Sequence, residues 1–260
     1  MNIWTKHSID FANQRNYLDE LFKVYPTIPE GLRDINQTKW EKVEQSFNRQ
    51  DGKELLKNLL AFDLFPIKDS YVAYLKRDKG SIERNPKTIQ RLSSALIAMG
   101  LDVIYEKCSQ AKETNRQIGP MFRNWIKQGG LGFQLTHDTK LFISGTEDLI
   151  LDLGDDALKA FAKENLNYNS NKGLDLIAKI SGKYVVAEAK FLTDFGGHQN
   201  AQFNDAIALV TNKEVQAIKI AVLDGVPYIQ GNNKMSKFVR ENENYNIMSA
   251  LVLKEFLYQI

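Results

Sequence analysis

Cysteine, histidine and proline are scarce in this 260-residue chain, which holds one, three and six of them. A single Cys108 excludes an internal disulfide, and it reads as a small buried hydrophobe rather than a nucleophile. His7, His137 and His198 are dispersed, so no Cys/His cluster with zinc-ligand spacing exists. No apolar run approaches the ~20 residues that span a bilayer. The start, Met1 to Lys6, has no apolar signal core, so a cytoplasmic protein without a membrane segment is expected. Internal repeats, low-complexity tracts and a clear linker are also missing.

A strong charge of one sign is lacking too, since the net charge is +2. Its distribution carries more. Residues 1–130 have a balance of +5 and residues 131–260 one of −3, and every arginine except Arg240 lies before residue 124. A basic grip on a polyanion beside an acidic cluster fits that asymmetry. With 43% hydrophobic and 25% charged residues, the composition is that of a globular domain.

Helical signals dominate the first 110 residues. Residues 8–23 carry Phe11, Tyr17, Leu18, Leu21 and Phe22 near a helical period, with Ser8 as a cap. A second helix is expected from Thr38 to Leu60, interrupted near Asn48–Gly52. Pro66 opens another, and Asn85-Pro86 begins one that stops at Gly100. Further on, Leu141–Ser144 reads as a short strand and Gly154-Asp155 as a helix start. Gln216–Leu223 reads as a strand, and Asp224-Gly225 as a turn whose hairpin continues through Val226–Ile229. Ile247–Ile260 is a last apolar element. The expected organisation is a helical region, 1–110, packed on an α/β core, 111–260, in one compact unit.

The stretch Gly173–Phe191 concentrates the chemistry. It reads as two strands joined by Ser181-Gly182, each apolar except for a few charges. Asp175 interrupts the first; Glu188 and Lys190 interrupt the second and share a face, because side chains alternate along a strand. With a two-residue loop, paired positions sum to 363 and Asp175 falls opposite Glu188. Cross-strand Cβ atoms then lie about 4.5–5.5 Å apart, where like charges repel unless a cation sits between them. A three-residue loop would shift the register and put Asp175 on the wrong face unless a bulge restored it.

Phosphodiester hydrolysis needs charge offset at the phosphate and an activated water. Two carboxylates bind hard cations such as Mg²⁺ through oxygen, and the Ala189 carbonyl can add a ligand. Lys190 can orient the water or steady the phosphate in the transition state. The bland alternative is an ion-pair network on a solvent-facing sheet, with Lys190 neutralising either acid. Glu164, 11 residues before Asp175, could reach the same site or be an exposed helix carboxylate.

Other segments have nucleic-acid-binding residue types. Arg116, Arg123 and Lys127 suit phosphates, and Asn115 and Gln117 suit base edges. The same stretch also reads as a short helix, Pro120 to Gln128, burying Phe122, Trp125 and Ile126. After the hairpin, Gly196-Gly197 allows close backbone approach. A helix start follows, carrying His198, Gln199 and Gln202 and offering free amides to an anion. Asn233 and Lys234 lie in a polar loop with either base-reading or plain turn composition.

Gly173-Leu174-Asp175 with Glu188-Ala189-Lys190 resembles the active-site motif of the PD-(D/E)xK nuclease superfamily, with Leu174 where proline often stands. The Gly-Gly turn, the helix after it and the chain length are similar to those of type II restriction endonucleases. The resemblance implies a central mixed sheet flanked by helices and Mg²⁺-dependent, sequence-specific cleavage of double-stranded DNA. It also implies a homodimer and a cognate DNA methyltransferase that protects the host. Asp175 and Glu188 would be metal ligands and Lys190 the catalytic lysine. The alternatives are a structure-specific repair or recombination nuclease, and a non-catalytic DNA-binding protein on a degenerate nuclease fold.

Overall fold

The computed structural model describes residues 1–26, 34–110 and 118–260. In chain order, helices α1 (Ile3–Ala12) and α2 (Tyr17–Val24) come first. Next are α3 (Gln37–Asn48), α4 (Gly52–Leu60), α5 (Ser70–Arg77), α6 (Ser81–Arg84), α7 (Pro86–Met99) and α8 (Leu101–Cys108). The rest is mixed: α9 (Ile118–Lys127), β1 (Gln134–Thr136), α10 (Thr139–Ser144), β2 (Leu149–Leu151), α11 (Asp155–Leu166), β3 (Leu176–Ile180) and β4 (Lys183–Leu192). Then follow α12 (Gly197–Thr211), β5 (Ile218–Gly225), α13 (Lys234–Glu241), β6 (Asn246–Met248) and α14 (Ala250–Tyr258).

Two compact units result, one of Met1–Thr27 with Thr114–Ile260 and one of Ile28–Glu113. The boundary expected at residue 110 therefore needs correcting at the front, because the first 27 residues belong to the sheet unit. Specific bonds tie them there: the Thr5 hydroxyl donates to the Ile247 carbonyl at 2.7 Å, and Ser8 accepts the Ser249 N–H at 2.9 Å. Ser8 is thus a buried mid-helix residue and not a cap. Nor is 8–23 a single helix, since Asn16 adopts φ +68° and separates α1 from α2.

The helical unit packs Trp40, Val43, Leu55, Leu56, Leu59, Leu92, Leu96 and Ile104 into its own core. Cys108 lies in that core, and burial pushes its thiol up to about 11, so it is an inert hydrophobe. The expected interruption after Asn48 is present, with Asp51 capping α4 by accepting the Glu54 N–H at 3.0 Å. Helix α5 starts at Ser70 instead of Pro66 because Asp69 supplies its cap, accepting from Tyr71 N–H at 2.9 Å.

The sheet unit is a six-stranded mixed sheet in the order β1-β2-β3-β4-β5-β6. β3 is antiparallel to β2 and β4, while the β1/β2, β4/β5 and β5/β6 pairs are parallel. Helices α10, α12 and α13 lie in the crossovers that the three parallel pairs require. Leu176, Ala178, Ile180, Val185, Ala187 and Ala189 enter one core with residues of α2, α9 and α14. Ile177 and Val186 enter another with Leu158, Phe161 and Leu166 of α11. This two-sided burial explains why the central strands read as nearly continuous apolar runs.

Two local expectations are overturned. Residues 141–144 are helical, because Asp138 caps α10 by accepting from Lys140 and Leu141 N–H at 2.8 and 3.1 Å. β5 does not turn into a hairpin. Gly225 has φ +89°, and a Cβ there would meet the Leu192 carbonyl oxygen at 2.1 Å. Its tight turn leads into a 3₁₀ segment, Val226–Tyr228, so β5 pairs only in parallel, with β4 and β6.

Candidate active site

The β3–β4 turn places the charged residues. Ser181 and Gly182 have φ +49° and +73°, the left-handed pair that a tight two-residue hairpin needs. The ladder runs from Ile180↔Lys183 to Leu176↔Ala187, the register that sums to 363. At its end Asp175 and Leu176 both face Ala187, because the Asp175 N–H donates to the Ala187 carbonyl at 2.9 Å. That two-against-one count is a β-bulge, so Asp175 does not fall opposite Glu188 as an unbroken two-residue-loop register requires. The Asp175 carboxylate then accepts the Ala189 N–H at 2.9 Å. Asp175 thus bonds the residues on both sides of Glu188.

Glu188 is buried, with 8% of its surface exposed, and ion-pairs with Lys190. Burial pushes its carboxyl up to about 7; Lys190 opposes the shift and the charge of Asp175 adds to it. The Asp175 carboxyl is also raised, first by burial, against the pull of the Ala189 N–H, Lys190 and Arg123. Burial leaves both carboxylates short of the stabilisation that water would give their charge, which a bound cation would restore.

That shortage tests the site for a cation. The donors are hard oxygens, two carboxylates beside a main-chain carbonyl, which suits Mg²⁺ and not zinc. The N–H and C=O of one strand residue point the same way, so the Ala189 carbonyl faces the side on which its N–H meets Asp175. Among the described residues no cluster of three His, Cys, Asp or Glu could hold a metal alone. Water and substrate phosphate would have to complete a shell, as is usual for Mg²⁺.

Helix α9 supplies the flank. A Cβ on Gly119 would lie 2.9 Å from Asp175 Oδ1, so a larger residue there would have to displace the carboxylate or the helix. Arg123 pairs with Asp155 at the start of α11, and its charge also acts on Asp175. A cavity of about 20 Å³, bordered by Arg123, Lys127, Asp152 and Asp175, has room for about one water molecule. Sequence reasoning missed Gly119 and Asp155. The glycine was visible beside Pro120, but only the fold sets it against Asp175.

The chain matches the Tsp45I type II restriction enzyme family over residues 2–260. It belongs to that family. It is therefore a restriction enzyme, a nuclease that acts on DNA. No curated protein and no solved structure matches the chain. Among the described residues, no helix is long and apolar enough to cross a membrane.

For a restriction enzyme of this family, the residues expected to touch DNA fall into groups. Arg116 and Gln117 lie outside the described residues. Arg123 stands at the Asp175 carboxylate, and Lys127 is next to it, paired with Asp152 at 2.8 Å. Helix α9 buries Phe122 and Ile126, with Trp125 half-buried. Gly197 and His198 are exposed at the start of α12, where Gln202 Nε2 approaches His198 Nδ1 at 3.5 Å. Gln199 turns inward: it is buried, accepting the Thr193 N–H and donating to the Thr193 hydroxyl, both at 3.3 Å. Asn233 caps α13, accepting the Ser236 N–H at 2.9 Å, whereas Lys234 is exposed. Phe195, Asn200, Asn233 and Lys234 border one cavity of about 210 Å³, so the fold brings the 195–202 and 233–234 segments together. Glu164 is exposed on α11.

Proposed function

We propose that this restriction enzyme cuts both strands of DNA at a specific sequence by Mg²⁺-dependent hydrolysis, on a core of the PD-(D/E)xK superfamily. One observation carries the reading. Asp175, bound to the Ala189 N–H, flanks Glu188, and Glu188 holds Lys190. Asp175 and Glu188 would hold the cation, with the Ala189 carbonyl as a further ligand. Mg²⁺, when bound, offsets the negative charge of the scissile phosphate and favours ionisation of water.

The chain's own residues do the rest. The Glu188 pairing aims the Lys190 ammonium along the strand, where its protons can hold the attacking water or a phosphate oxygen. The water oxygen bonds to phosphorus as the bond to the departing sugar oxygen breaks, and the departing oxygen takes up a proton. Arg123, Lys127 and Lys234 would bind phosphates, while Gly197, His198 and Gln202 would lie along the backbone. Arg116, Gln117, Gln199 and Asn233 complete the DNA-contact set in this reading, the last two through the loops they brace. A homodimer would place one such site on each strand. A cognate methyltransferase would protect host DNA in the cytoplasm.

The test mixes purified protein with unmethylated phage DNA and Mg²⁺. Discrete fragments are expected, lost with EDTA or in Glu188→Ala. Failure to cut any unmethylated DNA would sink the proposal.

A further inference from the structure

At the end of the sheet that carries Lys190, an open cleft of about 660 Å³ lies between the α1–α2 turn and the end of β4. Asn13, Gln14 and Asn16 line it from the turn, and Phe191, Leu192 and Thr193 line it from the strand. Parallel β4 and β5 end at one end of the sheet, and β3, antiparallel to β4, begins there, so the catalytic trio and the cleft lie at the same end of the sheet.

The turn is fixed to that end. Tyr17, its first helical residue, accepts the Gly225 N–H at 2.9 Å and donates to Asp224 at 3.4 Å. Asp224 and Gly225 pair with Phe191 and Leu192, the two residues after Lys190. A side chain on the turn therefore holds a set position relative to the catalytic strand. On the other wall, Thr193 bonds Gln199 at the start of α12, which joins the cleft to the Gly-Gly loop.

The lining chemistry selects the ligand. Among the described residues no lysine or arginine lines the cleft, while the carboxylate of Asp19 does, so it does not suit phosphates. Neutral amides and apolar groups suit base edges: an amide pairs with both major-groove groups of adenine, and an apolar side chain covers a thymine methyl. Asn13 uses its amide nitrogen on the Ile9 carbonyl at 2.7 Å. Gln14 is exposed; its main-chain N–H donates to the Phe11 carbonyl at 3.1 Å, and its side-chain amide bonds no described residue.

We propose that the α1–α2 turn is a sequence-reading element of this enzyme, with Gln14 contacting a base edge of the DNA. Leu18 and Ile229, large apolar side chains left 66% and 55% exposed on the cleft wall, would supply the apolar contact. The inference rests on the site-specific endonuclease reading above.

The experiment uses the full chain. Wild type and Gln14→Ala are assayed on the wild-type site and on every single-base variant of it. Binding to mixed-sequence DNA without metal and sedimentation mass are measured alongside. Gln14 is exposed, so its loss should leave the fold intact. Cleavage of the site should fall about 10- to 100-fold, with discrimination lost at one base pair. Mixed-sequence binding and mass should not change. Unaltered discrimination at every position would overturn the proposal. So would an equal loss on all sequences, which marks a phosphate contact, or a changed mass, which marks the cleft as a surface for a second copy. If wild type itself cuts no DNA, the endonuclease reading falls and takes this inference with it.

Discussion

Asp175 reaches across the end of the β3–β4 hairpin and accepts the Ala189 N–H through Oδ2 at 2.9 Å. The bond spans the residue that would share its cation, so the two carboxylates are set by one strand end and not by separate loops. Asp175→Asn should keep the fold and DNA binding but lose metal binding. Cleavage should fall at least about 10²–10³-fold, the loss seen when one preorganised catalytic group is removed. Titration calorimetry with Mg²⁺ and a single-turnover assay would check both parts.

Lys190 should separate binding from chemistry. It pairs with Glu188 and supplies no ligand oxygen. Lys190→Ala should retain Mg²⁺ binding while cleavage drops by about 10²-fold or more. A variant that lost both together would show that the lysine only organises the acids.

Gly119 is a steric test. An added methyl would sit 2.9 Å from Asp175 Oδ1, tighter than real Cβ contacts allow without movement. Gly119→Ala should lower the cleavage rate by about tenfold or more, since small misplacements of catalytic groups are costly. Thermal stability should change much less. Full activity in this variant would show that α9 can shift freely.

Asp224 predicts a pH dependence of stability away from the candidate catalytic groups. It is fully buried and accepts from Tyr25 at 2.9 Å and from the Ala250 N–H at 3.2 Å, as well as from Ser249. Burial nevertheless pushes its carboxyl up to about 7, above the ordinary value of 3.8. With the folded value raised, the folded state binds more protons between those limits, so stability falls as pH rises through the window. The slope from this group is about 1.4 kcal/mol per pH unit where only the folded state holds the proton. Asp224→Asn should flatten that slope in urea titrations at several pH values. Equal slopes in wild type and variant would refute the assignment.

Neighbouring loop residues should divide into brace and contact. Asn233 caps α13, so Asn233→Ala should cost about 1 kcal/mol of stability. Lys234 is exposed, so Lys234→Ala should spare stability and lower the salt slope of DNA binding by about 1. Denaturant melts and salt-dependent binding on the two variants would distinguish the roles.

Local chemistry made much of this protein legible. The Ser181-Gly182 turn sets the register from Ile180↔Lys183 to Leu176↔Ala187, because pairing propagates from a two-residue loop one position at a time, and the bulge at Asp175 ends it. Helix α7 is bounded by Pro86 and Gly100 as its sequence suggests, whereas the helix expected at Pro120–Gln128 spans Ile118–Lys127. The β1 and β2 strands escaped notice because three residues carry no period. Apolar Leu141–Ile143 looked like a strand because the Asp138 cap outweighs a short run only when the backbone geometry permits it. Asp224-Gly225 resembled a hairpin turn, and what excluded one was the parallel partner that β5 finds in β4.

By itself the sequence determined the hairpin, its charged triplet and the helical character of residues 37–108, all of which rest on contacts a few residues apart. Tertiary structure decided what those contacts cannot encode. It set Gly119 and Arg123 beside Asp175, turned Gln199 inward, and joined residues 1–27 to a sheet that ends more than 200 positions later. Such pairings follow from burying one continuous core, and no local pattern records which distant segments will share it.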